Sequence, residues 1–105
     1  MSYKFLHIGV PTTKVKPNEI YVEKMKLYKA EPEHSPFFME YIRFQDGCPF
    51  PEIMHMNPHI SFEVDSIAEA SKDAQVIVEP IDLGQIIISF IIKDNVILEL
   101  TERKK

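Results

Sequence analysis

The chain is poor in the residues that punctuate many functional motifs. Of its 105 residues one is cysteine and three are glycine. A single cysteine, Cys48, rules out an intramolecular disulfide and a thiolate zinc cluster within one chain. A free thiol suits a reducing compartment. Three scattered glycines supply no Gly-rich phosphate loop. No apolar run is long enough to span a bilayer, and Met1-Ser2-Tyr3-Lys4 leads straight into a strand-like run with no apolar signal region. These features together predict a cytoplasmic protein with no membrane partner. Positive charge is outnumbered, 12 Lys and Arg against 16 Asp and Glu. The net charge is -4 with a pI near 5.5, which disfavours a nucleic-acid partner, because that needs a basic surface to displace counterions. The basic run Arg103-Lys104-Lys105 reads as a solvated tail.

What is present is a core-forming proportion of apolar residues, 45%, in a length that fits one domain, 1–105. Phe5 to Val10 is an apolar run closed by Pro11 and reads as a strand. Met25 to Ala30 alternates and reads as another, with a polar stretch between that admits a turn or short helix from Asn18. Phe37 to Gln45, aromatic and β-branched, reads as a third strand. A Pro-rich linker at 47–57, with room for a helical turn near Glu52 to Met56, separates a first half-module (1–46) from a second (58–105).

The second half opens on the clearest alternation in the chain. Ile60, Phe62 and Val64 face one way; His59, Ser61 and Glu63 face the other. Ser66 and Glu69 form a capping box for a helix from Ile67 to about Ala74. Val76 to Val78 reads as a strand stopped by Pro80. Gln85 to Lys93 and Val96 to Thr101 read as a hairpin turned at Asp94-Asn95. The fold class expected is therefore α+β, rich in strand and built from two related halves.

Superposing the halves exposes a constellation. One opens with His7-Ile8 and closes on Phe38-Met39-Glu40-Tyr41-Ile42. The other opens with His59-Ile60 and closes on Ile97-Leu98-Glu99-Leu100-Thr101. In each strand an ionisable group shares its face with mainly apolar or small neighbours. A buried lone carboxylate costs several kcal/mol, roughly, unless something pairs with it. Two imidazoles and two carboxylates converging on a divalent cation meet that requirement, and such a nitrogen and oxygen site with open positions is a Lewis acid. The alternative is a set of ordinary hydrogen-bonded or solvated strand residues.

Other candidates carry less. His55 and His59 have the spacing of a helical zinc pair, but Pro58 breaks that helix. His34 reads as solvated and Cys48 as a bystander. Glu63 divides between a site role and the surface, and the five methionines read as core filler or pocket lining.

Phe5-Leu6-His7-Ile8-Gly9-Val10-Pro11, Pro58-His59-Ile60-Ser61-Phe62-Glu63-Val64-Asp65 and Asn95-Val96-Ile97-Leu98-Glu99-Leu100 resemble the opening and closing strands of the vicinal oxygen chelate superfamily, the glyoxalase and bleomycin-resistance group. The resemblance implies paired βαβββ modules forming a cupped, mostly antiparallel sheet, here with the first module abbreviated. It implies a divalent metal (Zn, Ni, Co, Mn or Fe) held by His7, Glu40, His59 and Glu99, with Glu99 doubling as catalytic base. The activity implied is that of a lyase, isomerase or epimerase working on a small oxygenated metabolite through an enolate-type species. Residues for a glutathione carrier have no match. The competing expectation is a non-enzymatic binding protein with a pocket lined by Phe37, Phe38, Tyr41, Phe44, Phe50 and the methionines; a third is a purely structural or interaction module. Family habit, and an edge expected along Gln85 to Lys93, suggest a homodimer.

Overall fold

The computed structural model describes residues 2–31 and 36–104. They form an α+β arrangement of eight strands and two short helices: β1 Tyr3–Pro11, β2 Ile20–Val22, β3 Leu27–Ala30, β4 Met39–Phe44, α1 Glu52–Met56, β5 His59–Val64, α2 Ile67–Ala70, β6 Gln75–Asp82, β7 Ile86–Lys93 and β8 Val96–Arg103. The chain divides into two compact units. One comprises Met1–Leu6 with His59–Lys105, the other His7–Pro58.

In the unit His7–Pro58 the strands lie in the order β2-β3-β4-β1. The β2/β3 and β3/β4 pairs are antiparallel, and β1 runs parallel to β4 with Gly9 opposite Glu40 and Pro11 opposite Ile42. A parallel pair needs a long connection between its strands. Here the described residues of that connection contain β2 and β3 and no helix. The sequence reading missed β2, because Ile20-Tyr21-Val22 is too short to declare a period. The strand expected from Met25 begins at Leu27, since Met25 and Lys26 form the turn and Lys26 has a φ of 52°. Helix α1 has five residues, too few to hold as an isolated helix. Its Met54 is 1% exposed, so burial of that side chain, roughly 1.5–3 kcal/mol, anchors it.

In the other unit the order is β5-β8-β7-β6, again with the opening strand parallel to the closing one. Val64, Ile67, Ile91 and Leu100 form a buried cluster, packed by Phe62 and Leu98. Helix α2 therefore covers the face of Ile60, Phe62 and Val64, and His59 and Ser61 belong to the opposite face. Ser66 caps α2 as expected, its hydroxyl accepting from Glu69 N at 3.1 Å. The Glu102 carboxylate accepts from Ile67 N at 2.7 Å, satisfying a second helix-start amide. The helix is shorter than its sequence suggests, with Ser71 as its C-cap.

Pro80 does not stop β6. The strand continues to Asp82, with register shifts between Val76 and Val78 and between Val78 and Ile81. β6 is the last strand in its order, where a residue lacking an N–H is tolerated, especially beside a bulge. β7 lies between β6 and β8, so Gln85 to Lys93 is not the edge expected from its sequence. Asp94 and Asn95 both have positive φ, 52° and 67°, the signature of a type I′ hairpin turn.

Candidate metal-binding residues

Each unit brings its histidine to its glutamate. In the first, His7 on β1 and Glu40 on β4 approach to 3.2 Å between Nε2 and Oε1. Glu40 is 6% exposed. In the second, His59 on β5 and Glu99 on β8 approach to 3.5 Å between the same atoms. His59 is 2% exposed and its ring stands edge-on to Phe90, with centroids 5.1 Å apart.

The two pairs are built by one rule. Glu40 is registered opposite Gly9, two residues after His7. Glu99 is registered opposite Ser61, two residues after His59. In both units the histidine and the residue opposite the glutamate share a strand face, because side chains alternate with period two. The parallel register therefore delivers each carboxylate to the face that carries the imidazole. The residue facing the glutamate backbone is small in both cases, which leaves lateral room for the longer side chain.

A carboxylate buried against an imidazole has two chemical solutions. Either the imidazole carries a proton and the pair is an ion pair, or both groups offer lone pairs to a cation. Imidazole nitrogen with carboxylate oxygen is a donor combination that suits zinc, iron, nickel, cobalt or manganese. The residues present thus fit a divalent transition metal by donor type and by burial.

The remaining candidates separate cleanly. Glu63 pairs with Arg103 Nε at 2.9 Å, the surface alternative. Helix α1 ends at Met56, and Asn57 is extended, so His55 and His59 belong to different elements and form no helical pair. His34 lies outside the described residues. The Cys48 thiol donates to Met25 O at 3.1 Å, and burial pushes its pKa up, which disfavours the thiolate a nucleophile needs. Phe50 is buried core, whereas Phe37 and Phe38 are exposed. Tyr41 lines an apolar cleft of about 550 Å³ with Lys16, Pro17, Ala30 and Met39.

Sequence reasoning missed the Glu19–Arg43 pair, a two-pronged contact at 2.8 and 3.0 Å across the unit His7–Pro58. Nothing in their spacing announces it. Arg43 is also held over the Tyr28 ring at 4.1 Å from the centroid.

No family model matches the chain, and a search among curated proteins finds no match. Among solved structures it is similar to the crystal structure of a hypothetical protein from Bacillus halodurans C-125. That similarity is 20% in sequence, with a TM-score of 0.71, over all of this chain and 97% of the other. The likeness is one of fold.

Proposed function

We propose that this chain is a divalent-metal-dependent enzyme of the vicinal oxygen chelate type, a lyase, isomerase or epimerase of a small oxygenated metabolite. The observation that carries the reading is the repeated register. Two units of the same strand order each set a histidine against a glutamate registered two residues on. One such pair is a common structural feature; the same pair built twice by the same rule supports a shared task. His7 and Glu40 in one unit, and His59 and Glu99 in the other, are the residues we assign as metal ligands. When bound, the metal supplies a Lewis acid that polarises neighbouring substrate oxygens and stabilises negative charge developing on them.

The chain's own contribution is positional. The sheet register fixes the carboxylates where strand backbones are rigid, so little ordering is left for binding. Glu99 is the residue we assign to accept a proton from the carbon beside a substrate carbonyl, giving an enolate-type species, and to return it. Phe90, against His59, excludes water from one side of that imidazole. We also propose a homodimer.

The test uses protein purified without a histidine tag, stripped and then offered Zn, Ni, Co, Mn or Fe. The expected result is stoichiometric uptake of one of them and a raised melting temperature. An ion present at 100 times its Kd stabilises by about 2.7 kcal/mol. Glu99→Gln keeps the shape but removes the anionic donor, so uptake falls, and any proton-transfer activity falls further. If the wild-type protein takes up none of these ions, the metal reading is lost. A drop in stability of Glu99→Gln in metal-free protein, with no uptake by wild type, assigns the pair to a buried ion pair instead.

A further inference from the structure

We infer that the unit His7–Pro58 carries a second binding feature, a pocket for the oxyanion group, phosphate or carboxylate, of a small molecule. It is a cleft of about 540 Å³ lined by Thr12, Thr13, Lys14, Arg43, Phe44 and His55, with Pro11 at its side. Three of these side chains are basic types and none is acidic. The chain as a whole has 16 acidic residues against 12 Lys and Arg, so the lining reverses the general balance. Glu19 offsets the charge of Arg43 from outside the lining, so the net positive charge facing the cleft is that of Lys14; a concave site with a net cation attracts negative ligands.

Arg43, His55 and the backbone that carries Lys14 are held in place. Arg43 is fixed by the two contacts to Glu19 and by the Tyr28 ring. Its charge is shared with Glu19, so Arg43 serves as a rigid wall. The net cation is Lys14, which has no acidic partner among the described residues. The loop carrying Lys14 is itself ordered. Thr12 N donates to Ile42 O at 2.8 Å, and Lys14 N donates to Thr12 Oγ1 at 3.1 Å. That contact uses the Thr12 hydroxyl as acceptor and leaves its O–H to donate. His55 lies flat on Phe44, with centroids 4.1 Å apart and planes 6° apart, so its ring nitrogens are presented at a fixed height. The fixed imidazole and backbone lower the ordering cost of binding an anion, leaving the exposed Lys14 side chain as the group that must order.

Position ties the pocket to the candidate metal ligands. Pro11 and Phe44 continue the strand faces of His7 and Glu40, each four residues further along. At roughly 3.3 Å per residue that is about 13 Å. A substrate with its reacting oxygens near His7 and Glu40 would set an anionic tail in this pocket. That connection rests on the proposed metal-dependent function; the pocket itself does not.

The probe is inorganic phosphate, with acetate as the carboxylate counterpart, titrated into metal-free full-length protein at constant ionic strength. Amide signals of Thr12, Thr13 and Lys14 and the His55 ring signals are followed by NMR. The expected result is saturable binding in the millimolar range, about 1–10 mM, for phosphate, acetate or both, which also tells the two oxyanions apart. Lys14→Glu should weaken it at least about tenfold, the loss of one charge-assisted contact. Lys72→Glu, an exposed lysine of the other unit, should leave it unchanged. Linear shifts without saturation for both probes, or equal weakening by Lys72→Glu, would overturn the pocket. Metal uptake by Lys14→Glu protein should match wild type, so the failure of either reading is distinguishable from that of the other.

Discussion

Glu19 and Arg43 illustrate how one ion pair couples stability to pH. The Arg43 guanidinium, hydrogen-bonded to Glu19, holds that carboxyl below its ordinary value of 4.5, with the Lys16 backbone N–H assisting. A group whose folded pKa is depressed contributes stability that is present above the unfolded pKa. That contribution is lost as pH falls through the folded value. Glu19→Gln should therefore narrow the stability difference between pH 7 and pH 3, measured by urea unfolding at several pH values. An unchanged pH profile would show that the pair contributes nothing to acid sensitivity. Cys48 is the opposite case. Its pKa is raised because burial disfavours the thiolate. At neutral pH, alkylation of Cys48 by iodoacetamide should be slower than in the urea-unfolded chain, and equal rates would contradict the burial.

At the scale of elements, short local devices fix the ends of strands and helices. The turn at Asp94-Asn95 puts two residues in the left-handed region, which asparagine tolerates and β-carbon-bearing residues in general do not. Asn95→Ala should cost about 1–2 kcal/mol in urea unfolding, whereas Asn95→Gly should cost nothing or stabilise. Equal losses in the two variants would mean that the turn conformation is not what matters there. Ser66 provides a smaller contribution at the start of α2, where its removal in Ser66→Ala should cost about 1 kcal/mol. Phe38, with a φ of 56°, is a more costly left-handed residue, and its carbonyl accepts from Ile8 N at 2.9 Å. That bond sits at the start of β4, and Phe38 lies two residues before Glu40. A local strain thus stands beside a candidate ligand.

At the scale of the whole molecule, association is the open physical demand on the terminal strands. β6 is blunted against strand addition by its bulges, Pro80, and the charged Glu79 and Asp82. β2 carries no proline or charge: its Ile20 and Tyr21 are 51% and 41% exposed, and its three-residue length is what limits pairing. We expect a homodimer, and light scattering at micromolar concentration and above is the check. A monomer throughout that range would remove the dimer. Tyr21→Lys should shift a dimer that uses β2 toward monomer, while Val76→Lys on β6 should not.

The amino-acid sequence by itself determined most strand positions, the Asp94-Asn95 turn, the Ser66 cap and the two histidine–glutamate pairs as candidates. Those are local properties: period-two alternation, turn chemistry and side-chain type act over a few residues. The tertiary structure alone decided the rest. Pro80 is tolerated because β6 ends its sheet order, a fact about neighbours and not about β6. Gln85 to Lys93 became an inner strand for the same reason. Glu40 meets His7, and Glu99 meets His59, only because each opening strand lies parallel to its closing strand in one register. Lys14, Arg43 and His55 share a cleft although their sequence positions show no pattern. Register and strand order are set by burial summed over whole faces, so no short stretch of sequence can specify them.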